Sequence, residues 1–322
     1  MPRHPFFKPY LALAAVCFFW GTTYLAIRMS LESFPPLVLV SARFLTSGGI
    51  LLLFAAARGL YIPRGRELAS NCLSGLLLLA IGNSCLVFAE VLIPSGVAGL
   101  ITTISPFWLV GVEALLPGGE RLHLPTIGGM TAGLFGASLL FTNDLAGHAI
   151  DRKVLAGFVI LQIGMAAWAF GSIYQRRHAG KAHPIIAGGV QQLAAGLAAL
   201  PLALAIPEHP IHWSTRGTAA ILYLVCFGSI VGYSAYNYTL EHLPVAILSI
   251  YAYVNAVVAV GLGWLFYREP FGARQAAAMV IIFAGVAAVK RFSKVEAAVT
   301  VQDAGRKPGG GPEGPTPRKQ KL

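Results

Sequence analysis

Ten blocks of apolar residues, each about as long as a bilayer crossing, alternate with short polar segments along this 322-residue chain. They cover residues 10–30, 36–57, 68–90, 96–116, 124–141, 154–174, 183–206, 217–240, 244–266 and 273–290. Within each block the apolar residues run continuously instead of recurring on one helical face. The pattern therefore predicts membrane-spanning helices and not the amphipathic helices of a soluble core. Pro35, Pro94, Pro125, Pro184 and Pro244 stand at or near the predicted starts, where a missing N–H leaves no broken bond. The connections are short, so consecutive spans are expected to run antiparallel. Residues 1–8 carry Arg3 and Lys8 ahead of the first apolar run, like a signal peptide, but no small-residue cleavage site follows and the run is long enough to span.

The pattern is also repeated. A shift of 150 positions pairs Pro94 with Pro244, Gly21 with Gly171, Tyr24 with Tyr174, Gly82 with Gly232 and Ser84 with Ser234. A one-residue slip adds Glu120 with Glu269 and Gly136 with Gly285. A constant offset running the length of the chain argues for duplication. The expected units are residues 1–146, 147–292 and a tail at 293–322. Five spans per unit is an odd number, so the second copy is expected to lie inverted across the membrane. The fold class is thus an all-α integral membrane protein of ten transmembrane helices in two inverted five-helix repeats. Its Gly/Pro-rich tail has no apolar periodicity and is expected to be disordered.

Composition agrees: 56% of residues are hydrophobic and 11% are charged, too few charges to clothe a soluble domain of this size. The net charge of +11 would suggest nucleic acid in a soluble chain. Here the positive residues sit between apolar blocks and in the tail, where membrane orientation accounts for them and no nucleic-acid partner is implied. With both termini inside, twelve lysines and arginines fall in inner segments and six in outer ones, before the tail is counted. The positive-inside rule then favours a cytoplasmic-membrane protein with both termini cytoplasmic. The four cysteines, Cys17, Cys72, Cys85 and Cys226, form no CxxC and stand near no histidine at ligand spacing, so neither a disulfide framework nor a metal site is indicated.

No phosphate-binding, HExxH or GxSxG pattern occurs, so neither catalysis nor a cofactor is expected. His209 and His212 fall in a proline-rich loop and read as solvated. The Asn237-Tyr238-Thr239 sequon lies inside a span, out of a glycosyltransferase's reach. What stands out is polar side chains within spans, which are costly unless they find partners or line a cavity. Arg43 could snorkel, hold a carboxylate or serve coupling. Glu90 is close to a helix end, and Glu113 lies deeper. All three are candidates for ion or proton coupling, Glu113 first. The aromatic and amide set supplies candidate cavity residues: Trp20, Thr23 and Tyr24 in the first span, Asn83 in the third and Trp108 in the fourth. Trp168 in the sixth, Gln191 in the seventh, Tyr236 in the eighth, and Tyr251 and Asn255 in the ninth complete it. For the tryptophans and tyrosines an interfacial belt competes with cavity lining. Gly21 and Gly171 read as sites of close helix packing, as do the GxxxG spacings at 129–133 and 228–232.

Several segments together resemble the EamA-type carriers of the drug/metabolite transporter superfamily, over nearly the whole chain except the tail. They are WGTTY with Arg28, PP at 35–36, Arg43-Phe44, AE at 89–90, PSG at 94–96, SPF at 105–107 and GER at 119–121. WAFGSIY at 168–174 and YAYVNAVVAVGLGWLFYRE at 251–269 complete the set. The resemblance implies ten helices in two inverted repeats, cytoplasmic termini, and export of small metabolites such as amino acids. One position departs: where the family has proline after the ninth-span asparagine, this chain has Ala256, which removes a kink. The expected function is a secondary carrier for a small organic solute in the lipid bilayer, working by alternating access. A non-transporting membrane subunit and a membrane enzyme on a lipid-linked substrate are the alternatives. Glu120 and Glu269 are expected to pair with Arg121 and Arg268 in a structural role.

Overall fold

A computed structural model describes residues 7–93, 95–119, 124–140, 152–206 and 208–267, with isolated helical positions between 273 and 284. Its helices are α1 (Phe7–Leu31), α2 (Pro36–Ala57), α3 (Gly65–Leu92), α4 (Ser95–Thr102), α5 (Ser105–Leu115) and α6 (Leu124–Leu140). They continue as α7 (Arg152–Arg177), α8 (Pro184–Ala205), α9 (Thr215–His242), α10 (Val245–Leu248) and α11 (Tyr251–Tyr267). Six of them, α1, α2, α3, α7, α8 and α9, are long and apolar enough to cross a membrane. Large side chains such as Leu53, Leu115 and Leu204 point outward, while Arg43, Gln191, Gln192 and Asn237 are buried. This is a bilayer-solvated arrangement, apolar outside and polar at selected places within. The molecule is an all-helical, multi-pass membrane protein. The expected tenth span, the tail and the Glu120–Arg121 and Arg268–Glu269 pairs lie outside the described residues.

Local chemistry sets the helix ends. Pro36 and Pro184 occupy first-turn positions of α2 and α8. The Glu208 carboxylate, from a distant loop, accepts the Leu37 N–H of α2 at 3.2 Å. At the other end of α2, Gly59 (φ 62°) turns the chain out, with Leu60 N–H donating to Ala55 O at 2.9 Å and Gly59 N–H to Ala56 O at 3.1 Å. That pair of bonds is a Schellman cap, and the positive φ suits glycine.

The repeated sequence is repeated in shape. α3 and α9 are each 28 residues long and start and end 150 positions apart. Each contains a π-helical stretch, Leu76–Asn83 and Leu224–Tyr233, ending at matched positions. α2 and α8 are each 22 residues long. Their contact is self-complementary: a Cβ on Gly48 would stand 2.5 Å from Leu193 N, and one on Gly196 would stand 2.6 Å from Leu45 N. Gly48 and Gly196 are counterparts at one offset, as are Leu45 and Leu193. Ser41 Oγ donates to Gly196 O at 3.2 Å, while Gly189 packs on Leu51. The partners in α8 thus descend as those in α2 ascend, so the two counterpart helices run antiparallel.

The fourth and ninth spans differ from the continuous helices expected at 96–116 and 244–266. In the first half the helix breaks at Thr103 and Ile104, ahead of Pro106, whose ring and missing N–H end the preceding turn. In the second half the break falls at Ser249 and Ile250, where the Ser249 hydroxyl donates back to Ala246 O at 2.9 Å. α11 then runs unbroken through Ala256, as the absent proline predicts.

Candidate functional site

A central cavity of about 790 Å³, its open mouth included, lies among α1, α2, α3, α4, α5, α7, α9 and α11. Most of the residues that reach it come from the middle turns of these helices: Trp20, Arg43, Trp168 and Ser229 are each near the midpoint of their helix. Both π-helical stretches border it, through Leu79, Gly82 and Asn83 on one side and Gly228, Ser229 and Tyr233 on the other. Such widened turns recur at functional sites because they re-aim backbone and side-chain groups.

Of the residues singled out from sequence, Trp20, Thr23, Tyr24, Arg43, Asn83, Trp168, Tyr251 and Asn255 line this cavity. Trp20 is held by its indole N–H, which donates to Gly228 O at 3.0 Å. The absent side chain of Gly232 makes room for it: a Cβ there would stand 2.6 Å from the indole nitrogen. Gly228 likewise sits against Thr23 and Arg43. These two glycines admit cavity side chains, while Gly21 and Gly171 do serve helix packing, against Val258 and against Leu77 and Leu78. Tyr24 hydrogen-bonds Thr102 at 2.8 Å, whose hydroxyl donates on to Gly99 O. Asn255 directs its amide nitrogen to the carbonyls of Tyr251 (3.1 Å) and Cys17 (2.8 Å), tying α11 to α1.

Three candidates do not line the cavity. Tyr236 lies beneath its floor, stacked on Trp20 with ring centroids 5.0 Å apart. Its hydroxyl accepts from the Trp168 indole at 2.9 Å and bonds Ser172 at 2.6 Å. It positions the two tryptophans through that ring contact and that hydrogen bond, with the Tyr233 ring stacked beside it at 6.2 Å. Gln191 is fully buried behind the cavity wall. Its Nε2 donates to Asn71 at 3.1 Å, and its Oε1 accepts from Tyr233 (2.7 Å) and Asn237 (3.0 Å). This network joins α3, α8 and α9, and it also accounts for Asn237, the residue of the discounted sequon. Trp108 is turned toward α7, where its indole donates to Gln162 at 2.9 Å.

The acidic candidates also separate. Glu113 lies 3.7 Å from Arg177 at the end of α7, within ion-pairing distance. Glu90 is buried near Tyr24 and Arg28 of α1, and neither of its carboxyl oxygens has a hydrogen-bond partner among the described residues. His209 and His212 are exposed in the loop, and no group of metal-ligating side chains occurs among the described residues. The cavity also uses Thr102, Ser105 and Ser229, which were not singled out. Ser229 was findable, since it precedes Tyr233 by four residues and so shares its helical face.

Arg43 is the one charged residue lining the cavity among the described residues. Its Nε donates to Ser229 Oγ at 2.8 Å, and its guanidinium carbon lies 5.0 Å from the centre of the Phe44 ring.

A buried cavity with aromatic walls and scattered hydroxyl and amide groups, set in a bundle of membrane-spanning helices with an internal repeat, is the architecture of a solute carrier. The EamA-like transporter family matches residues 7–142 and again 155–291, and the chain belongs to that family. Among its relatives is the uncharacterized inner membrane transporter YedA of Escherichia coli (strain K12), 37% identical over 257 residues, covering 78% of this chain and 80% of the relative. Protein PecM of Dickeya dadantii (strain 3937) is 26% identical over 274 residues, 85% of this chain and 89% of its own. A probable amino-acid metabolite efflux pump of Escherichia coli (strain K12) is 25% identical over 160 residues, 49% of this chain and 50% of its own. A solved crystal structure aligns over 89% of this chain and 97% of its own at a TM-score of 0.74 and 21% identity, a likeness of fold.

Proposed function

We propose that this protein is a secondary carrier that moves a small organic metabolite, such as an amino acid, across the cytoplasmic membrane by alternating access. The observation that carries the reading is the mid-helix cavity built from both halves of a duplicated chain. The two repeats, residues 1–146 and 147–292, form ten transmembrane helices in inverted orientation. The antiparallel contact of the counterparts α2 and α8 supports this, because repeats related by an axis along the membrane normal would set counterpart helices parallel. Rocking of one repeat on the other about this small-residue contact exposes the cavity to each side in turn. Both termini face the cytoplasm, the membrane is the inner one, and the direction is outward. Similarity to an efflux pump and to an inner membrane transporter supports these last assignments.

The test is counterflow in proteoliposomes loaded with unlabelled amino acids and other small metabolites. Accumulation of one labelled class is expected. Absence of exchange for every solute, with protein shown to be folded, would leave the chain a non-transporting subunit.

Coupling to protons, where present, falls to Glu90 and not to Glu113. A carboxyl group buried with no hydrogen-bond partner is poised to change protonation as its surroundings open. Tyr24, which lines the cavity, and the cation Arg28 both lie close enough to act on it electrostatically. Glu113 already has Arg177. Glu90→Gln is expected to exchange solute at close to the wild-type rate in counterflow and to lose stimulation by a pH gradient. Stimulation equal to wild type would remove Glu90 from the mechanism.

A further inference from the structure

The charge pattern of the cavity carries a statement about the solute. Arg43 is 4% exposed, sits mid-helix and lines the cavity. Burying a guanidinium among apolar helices is costly, and proteins offset that cost with a carboxylate or with several hydrogen-bond acceptors. Here neither is present. Among the described residues no carboxylate lies within ion-pairing distance, and the only hydrogen bond is the one from Nε to Ser229. Of the five N–H groups of a guanidinium, that bond uses one and leaves the four on the two Nη atoms. These form the fork that matches a planar carboxylate through two parallel bonds. Phe44 packs against the guanidinium and Gly228 lies against Nη2, which limits how far the group can turn. The rest of the lining is aromatic or neutral, with Trp20, Trp168 and Tyr251 as the broad surfaces.

We infer that Arg43 is a solute-binding residue and that the transported solutes are organic monocarboxylates with an apolar or aromatic body. The inference rests on the carrier reading above and narrows it. One guanidinium with no second cation suits a single negative charge better than a doubly charged phosphate. Among the described residues no acidic side chain lines the cavity, which disfavours organic cations. An α-amino acid meets the same requirement through its carboxylate, and its ammonium group can rest on the faces of the tryptophans. The carboxylate supplies in the loaded state the counter-charge that Arg43 lacks when empty.

Matched acid and amide pairs test this without relying on any variant: labelled 3-phenylpropanoate against 3-phenylpropanamide, and phenylalanine against phenylalaninamide, by equilibrium dialysis with the purified full-length protein at neutral pH. The acid of at least one pair is expected to bind at least tenfold more tightly than its amide. Arg43→Gln is expected to reduce that preference to less than twofold, and Arg43→Lys to restore part of it. Equal binding of acid and amide by the wild-type protein, binding of neither, or an unchanged preference in Arg43→Gln would overturn the assignment. Counterflow on the same preparations separates the two readings. Acid preference with no exchange of any solute supports the carboxylate site and removes the carrier. Exchange of neutral or cationic solutes with no acid preference keeps the carrier and removes the site.

Discussion

Replacing Gln191 by leucine is expected to lower the stability of the folded protein by about 2 kcal/mol, measured by reversible unfolding in mixed micelles. The figure follows from what one amide does at the meeting of α3, α8 and α9. Gln191 gives one hydrogen bond to Asn71 and receives two, from Tyr233 and Asn237. Polar contacts between membrane helices average about 0.6 kcal/mol each, because the unfolded chain in the membrane also finds partners. Three of them give roughly 2 kcal/mol on that scale. A soluble-protein estimate of about 1–3 kcal/mol for each buried group left unpaired would give more. The lower figure is the relevant one, since leucine fills most of the vacated space and the unfolded reference state is itself in the membrane. Gly75 packs so closely on the Gln191 backbone that water has little room to substitute. A loss below about 0.5 kcal/mol would mean that Asn71, Tyr233 and Asn237 pair among themselves once the amide is gone.

Gly48→Ala and Gly196→Ala are each expected to cost about 1–3 kcal/mol, the usual penalty for overpacking. Each added methyl would press on backbone atoms of the facing helix: Leu193 N at 2.5 Å and Gly189 O at 2.8 Å in one case, Leu45 N at 2.6 Å in the other. Backbone cannot rotate aside as a side chain can, so the helices must separate. The two glycines flank one crossing, and separation caused by the first alanine makes room for the second. The double variant is therefore expected to lose clearly less than the sum of the single losses, read as thermal unfolding of the purified protein. Full additivity would show that the two sites do not share one crossing and would remove the basis for a rocking contact there.

These two sites show how differently the features of this protein were written into its chain. Six of the spans were legible because transfer from water to hydrocarbon depends on each residue's own surface and accumulates along a segment. The duplication was legible because it is a property of the text, and α3 and α9 start and end 150 positions apart. The widened turns of α3 and α9 had no such signal. Neither did the break at Ser249, where a serine hydroxyl competes with the helix ladder without any proline to announce it.

The site depended on something else. Arg43 and Gln191 stand at matched positions of counterpart helices, and both are polar residues in mid-span. One opens on the cavity and the other is sealed in a network, because their neighbours on α9 and α3 differ. Tyr236 and Tyr251 are both tyrosines among aromatic neighbours, yet the rotation of their helices puts the first beneath the cavity floor and the second on the wall. Glu113 was ranked above Glu90 by depth along the chain, and only the folded structure shows Arg177 beside Glu113. By itself the sequence determined that this chain lives in a membrane, that its architecture is duplicated, and which polar groups are buried at a cost. The tertiary structure alone decided which of those groups meet and which face empty space, because helix rotation and crossing are set by contacts between residues far apart in the chain.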